Sequence, residues 1–239
     1  MRSPFPGFPK AGIDFLRALA RHNDREWFLP RKAIFEEQVK RPMMQLVEAL
    51  NAEMARIAPG HVTPPAKAIY RFYRDTRFSA DKRPYKEQIA ATFAHRGLDR
   101  HEGGGFYFAV SHKEVAIGGG VYMPTPETLA AIRRRIALRH AELRRIMAAP
   151  VLKKLFGAIE GERLTRPPKG YCADHPAADL LRYKQLYYYV ELDPALATTP
   201  ALFGEIRKRF QAMAPFIAFL NAPLASKGEK QSSSEMFLR

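Results

Sequence analysis

Apolar residues recur every three to four positions from about residue 11 to 57 and again from 126 onward, whereas between 68 and 120 the period falls to two. Residues 1–10, rich in Pro, Phe and Gly, read as an extended lead-in. Ile13, Phe15, Leu16 and Leu19 give the first helix its apolar face. "HNDREWF" ends that helix, with Asn23 or Asp24 placed to cap a short turn through Trp27 and Phe28. A longer amphipathic helix covers 31–57 through Phe35, Val39, Met43, Leu46, Leu50, Met54 and Ile57. Pro42 inside it predicts a kink or a new helix start, because proline removes an amide donor. The proline-rich stretch 58–67 is a loop.

The period of two predicts strands at 68–74, 87–95, 105–110 and 114–119, the last two joined by the tight turn Ser111-His112-Lys113. A helix follows from Thr125 as N-cap and Pro126 at its first position. Leu129, Ile132, Ile136, Leu143 and Ile146 trace its buried side, and Arg133, Arg134, Arg135, Arg139, Arg144 and Arg145 lie mostly outside it. Helical pattern resumes at 151–159, an irregular stretch fills 163–176, a helical turn covers 177–183, and 185–192 reads as a fifth strand. A last helix spans 199–220, with Pro215 near its end, and 223–239 is polar enough to read as a disordered tail. The order predicts an α+β fold, a single domain over 1–222 with a mainly antiparallel sheet flanked by helices.

Composition narrows the class. At 239 residues, with 46% hydrophobic and 26% charged, the chain can bury a core without metal or disulfide staples. One cysteine, Cys172, fits a reducing compartment. No apolar run resembles a signal peptide or a membrane span, so a soluble, cytoplasmic protein without membrane partners is expected. The formal charge of +15 attracts phosphates, nucleic acid and acidic surfaces.

That charge is concentrated in "YRFYRDTRFSADKRPYK", residues 70–86, where Arg71, Arg74, Arg77, Lys82, Arg83 and Lys86 face only Asp75 and Asp81. On a strand at 68–74, Tyr70, Phe72 and Arg74 share one face and Ile69, Arg71 and Tyr73 the other. The loop after Asp75 would be anchored by Phe78 and project Arg77, Ser79, Asp81 and Lys82 at the sheet's end. Guanidinium forks, an ammonium and a hydroxyl are the inventory of an anion site. The alternative is that these charges pair among themselves and staple a long loop.

"RDTRFSADKRPYK" resembles the hallmark of a bacterial and fungal family known as domain of unknown function 2461. "FLRALARHNDREWF", "GGGVYMP" and "PPKGYCADHPAADLLRYK" agree in order, so the resemblance spans about 8 to 220. It implies a single-domain soluble protein and supplies no established activity. It also suggests that "PKGYCADHP" belongs with the basic stretch, bringing Lys169, Tyr171, Asp174 and His175, with Lys184 following. In "IGGGVYMP" the glycines favour a strand bulge or tight bend over a phosphate loop, since no Gly-Lys-Ser/Thr ending follows. Trp27 and the "LYYY" of 186–189 read first as core, although the tyrosines are also suited to stacking on bases.

No zinc spacing, HExxH, GxSxG or dinucleotide fingerprint is present, so no metal is expected and no cofactor is indicated. The leading expectation is a cationic pocket of Arg74, Arg77, Ser79, Lys82 and Lys86, joined by Lys169, Tyr171 and Lys184, with Asp75 orienting an arginine. Its ligand would be an anionic small molecule, a phosphorylated metabolite or nucleotide. If catalytic, His175 or Asp81 would serve as general acid/base. The other classes are a nucleic-acid binder using 67–86 and the arginine-rich helix, and a protein in which the motifs only hold the fold.

Overall fold

The computed structural model describes residues 4–77, 79–98 and 102–236, with side chains described as far as Leu224. Phe78 lies outside the described residues, as do the side chains of most of the 223–239 tail. The helices are α1 (Lys10–Arg21), α2 (Arg25–Phe28), α3 (Lys32–Phe35), α4 (Arg41–Ile57), α5 (Pro65–Ala68), α6 (Pro126–Met147), α7 (Pro150–Phe156), α8 (Ala178–Leu181) and α9 (Ala201–Met236). The strands are β1 (Gln88–Phe93), β2 (Gly105–Ser111), β3 (Val115–Val121) and β4 (Leu186–Leu192). Among the described residues no helix is long and apolar enough to cross a membrane.

The sheet has the order β1-β2-β3-β4 and is antiparallel throughout. Its strands fall within two residues of the expected 87–95, 105–110, 114–119 and 185–192. The last strand, distant in sequence, pairs with β3. One sheet face carries Phe93, Phe106, Phe108, Ile117 and Tyr188 into the main core. Burial of such rings stabilises by about 1.5–3 kcal/mol each. α9 closes this face, with Phe210 5.0 Å from Phe106 and Phe216 5.0 Å from Tyr188, ring centre to centre. α6 and α4 pack in turn on α9.

Caps appear where the sequence put them. Trp27 N donates to Asp24 Oδ1 at 2.7 Å, and Thr128 N donates to Thr125 Oγ1 at 3.2 Å. The helical run before Pro42 widens into a π-turn at Glu36–Lys40, and α4 starts at Arg41 with Pro42 in its first turn, the second of the two expected outcomes, where a proline can follow without its amide donor. α1 lies tightly against that turn: a Cβ on Gly12 would stand 2.1 Å from Gln38 O.

The strand expected at 68–74 does not form. Pro64-Pro65 start the single helical turn α5, which ends only at Ala68. Beyond it the chain runs antiparallel to 84–91 through two isolated bridges, Ile69 with Ala91 and Tyr73 with Tyr85. Arg74 N donates to Pro84 O at 2.8 Å, but Pro84 has no N–H to return, so a ladder cannot propagate there. The expected facing fails as well. Tyr70 packs on the outer sheet face with Ala90, Ala109 and Ala116, while Phe72 enters the main core. At the opposite edge Glu160 bridges to Tyr187 on β4. The glycine run expected as a bulge or bend is paired throughout: Gly118, Gly119 and Gly120 stand opposite Tyr189, Tyr188 and Tyr187.

Candidate functional site: a tyrosine-walled cleft beside a basic hairpin

Alternation on the strands gives the outer face its own composition. Thr92, Tyr107, Gly118 and Tyr189 line up across the four strands in one row. Small residues in the middle and rings beside them leave a cleft of about 630 Å³. Gly105, Gly118 and Gly120 form part of its floor, and Tyr70, Tyr107, Tyr187 and Tyr189 its walls. Tyr122 and Met123, 60% and 70% exposed, stand at its lip with Glu160. The rings contact one another: Tyr70 to Tyr107 at 6.3 Å, Tyr122 to Tyr187 at 5.3 Å.

Burial holds the phenols of Tyr107, Tyr187 and Tyr189 protonated. It pushes Tyr107 well above the ordinary tyrosine range, helped by Tyr189 and Tyr70. It pushes Tyr189 up to about 12, with Glu114 and Glu191 adding to the shift. Tyr187 is raised by burial and by Glu160, to which its hydroxyl donates. Gln88 Nε2 donates to Tyr107 Oη at 3.2 Å and fixes that ring. At neutral pH the cleft therefore offers flat apolar faces, hydroxyl donors and the Glu160 carboxylate. That set suits a ring-shaped ligand with its own N–H or O–H groups.

The basic stretch folds next to this cleft as a hairpin held by its rings. Tyr85 stacks on Phe28 at 4.1 Å and Phe72 lies 4.3 Å from Phe35, which seats the hairpin on the N-terminal helices. Its charges are largely cross-linked. Asp81 accepts from Arg83 and from Arg74, and these guanidiniums hold its carboxyl far below the usual range. Glu87 pairs with Arg83 and with Lys113, the latter at 3.1 Å. Arg77, 77% exposed, forks onto Asp75 and lowers its pKa to about 2. Lys82 Nζ donates to Thr76 O at 3.0 Å, and Ser79 N to the same oxygen at 3.4 Å. Arg74, Arg83 and Lys86 still surround a shallow depression of about 290 Å³ together with Asp81 and Glu87.

The late segment gathers elsewhere. His175 Nδ1 accepts from Ala177 N at 3.0 Å, and its ring lies 6.2 Å from His140 of α6 and 6.4 Å from Tyr171. Lys184 pairs with Glu162 at 3.0 Å, and Lys169 is exposed. Among the described residues, Lys169, Tyr171, His175 and Lys184 line neither the cleft nor the depression. The arginines of α6 divide. Arg133 donates to Leu181 O and Tyr183 O, and Arg144 to Asp179, which ties α6 to α8. Arg135 lies over the Phe219 ring at 4.7 Å.

Sequence reasoning assigned Tyr107, Tyr122 and Glu160 no role, and read Tyr187 and Tyr189 first as core. The available signal was the outward set of the strands, which is mostly small residues and tyrosines, with Gln88 and Glu191 at its margin. The fold and cleft define an α+β protein with a concave, aromatic-lined sheet face. The chain belongs to the family described as Conserved hypothetical protein (DUF2461), which matches residues 11–219. No curated protein and no solved structure matches it.

Proposed function

We propose that this protein binds a small molecule in the tyrosine-walled cleft. One observation supports the reading above the others: a 630 Å³ concavity with tyrosine walls over a glycine-bearing floor. A volume of this size takes one drug-sized molecule, and mostly apolar walls with a few convergent polar groups are the usual form of such sites. The test is thermal unfolding against a panel of sugars, nucleosides and aromatic metabolites. A ligand that binds only the folded state raises the midpoint, by about 2.7 kcal/mol of stability at a hundred times its Kd. Tyr107→Ala should abolish the rise and Tyr107→Phe should largely keep it. A panel that leaves the midpoint of the parent unmoved refutes the reading.

A second reading, anion binding at the basic hairpin, has its own support. Arg74, Arg83 and Lys86 around one depression outnumber Asp81 and Glu87. It would take a phosphorylated small molecule or nucleotide. Nucleic-acid binding has less support, since Arg133, Arg135 and Arg144 of α6 are engaged within the fold. The same holds for a general acid/base role of Asp81, which lies between two guanidiniums, or of His175, whose Nδ1 is occupied. The exposed Cys172 suits a reducing, cytoplasmic setting.

A further inference from the structure

We propose that the cleft and the basic depression are two halves of one site, and that its ligand is a ring compound bearing an anionic group, of the nucleoside monophosphate class. This rests on the cleft reading and adds the charge and shape of the ligand. The two hollows share a boundary. Tyr70 walls the cleft, and Lys86 Nζ of the depression lies 5.2 Å from the centre of its ring. Gln88 lines the depression and donates to Tyr107 Oη inside the cleft.

The halves are chemically complementary. Among the described residues lining the cleft there is no cationic side chain, and its carboxylate, Glu160, calls for N–H or O–H donors. A neutral base and sugar meet that demand. Positive charge lies beside the cleft, on Lys86 at the shared boundary and on Arg74 and Arg83 farther into the depression. Arg74 already holds Asp81, so a free anion gains little there. An anion tethered to a ring seated in the cleft arrives at high effective concentration, and the weak rim then adds to affinity. A run of stacked bases would need an extended groove rather than a single concavity.

Isothermal titration of the intact protein with adenosine, guanosine, cytidine and uridine, their 5′-monophosphates and inorganic phosphate tests the proposal. At least one monophosphate should bind about tenfold or more tighter than its nucleoside, a gain in line with tethering a weak second contact. That ratio should fall toward one when NaCl is raised, and also in Lys86→Gln with an unchanged melting midpoint. Tyr107→Ala should weaken both members of the pair. Equal affinity of nucleoside and monophosphate overturns the two-part site and leaves the cleft reading standing. Inorganic phosphate binding as tightly as the monophosphates, indifferent to Tyr107→Ala, also overturns it. Absence of binding by every nucleoside and monophosphate overturns this proposal, while a sugar or other aromatic metabolite that still stabilises the protein keeps the cleft reading alive. The salt dependence of the parent needs no variant, so a misfolded substitution cannot hide the answer.

Discussion

Asn23 and Tyr85, 62 residues apart, exchange two hydrogen bonds: Asn23 Nδ2 donates to Tyr85 O at 3.1 Å, and Tyr85 N donates to Asn23 Oδ1 at 3.0 Å. The side-chain amide takes the place of a neighbouring strand and fastens the basic hairpin to the N-terminal helices. Asn23→Ala leaves both Tyr85 backbone groups without these partners beside the stacked Phe28 ring. The expected loss is about 1–3 kcal/mol, read as a lower urea midpoint with unchanged slope. Asn23→Asp keeps the acceptor and should lose less.

Gly120 has φ +135°, and a Cβ there would stand 2.3 Å from Leu186 O. Gly120→Ala must therefore strain β3 and push it from β4, with a stability loss of about 2 kcal/mol or more. A Cβ on Gly204 of α9 would meet no atom within 4 Å, and Gly204→Ala should be neutral or mildly stabilising. Thermal midpoints of the two variants check the contrast. Equal effects would mean that the β3–β4 register is not as tight as these distances require.

His61 is buried, with Nε2 3.1 Å from Gly104 O and Asn221 Nδ2 donating to the same oxygen at 2.9 Å. Burial lowers its pKa from 6.5 to about 4, with His95 adding to the effect. The unfolded chain thus binds a proton that the folded chain refuses between those values. Stability should fall as pH drops from about 6.5 to about 4, by up to about 3 kcal/mol, and level off below as far as this group is concerned. His61→Gln should flatten that limb in pH-dependent denaturation. Asp75 and Asp81 act lower, because their folded pKa values are depressed: their contribution is present above about 4 and lost as pH falls further.

Asp81 joins Arg74 and Arg83 across the hairpin. Asp81→Asn should loosen residues 74–86, seen as faster amide exchange there, with a small drop in midpoint that shrinks as salt rises. If the exchange rates stay put, the rings rather than the ion pairs hold this segment.

The residues that were legible are those whose role is local. Asp24 and Thr125 cap the helices they precede, and strands β2 and β3 follow from their own alternation and a short turn. At 68–74 the apolar alternation was real, but two prolines at one end and Pro84 across the bridge broke the ladder, a conflict visible only once the partner segment is known. The cleft was hidden for a different reason. Tyr107 and Tyr187 are brought together by sheet register, and Tyr70 joins them from the segment bridged to β1, so each looks like ordinary core in its own window. The basic stretch drew attention by charge, yet Phe72 and Tyr85 within it are anchors for the fold.

The bridges at Ile69 and Glu160 reach beyond holding two loops. Each sits on the outward side of an edge strand, one against Ala91 of β1 and the other against Tyr187 of β4. A strand from another molecule would have to displace them before it could extend the sheet. At the two positions they cover, these bridges oppose fibril-like growth of the sheet from its rims.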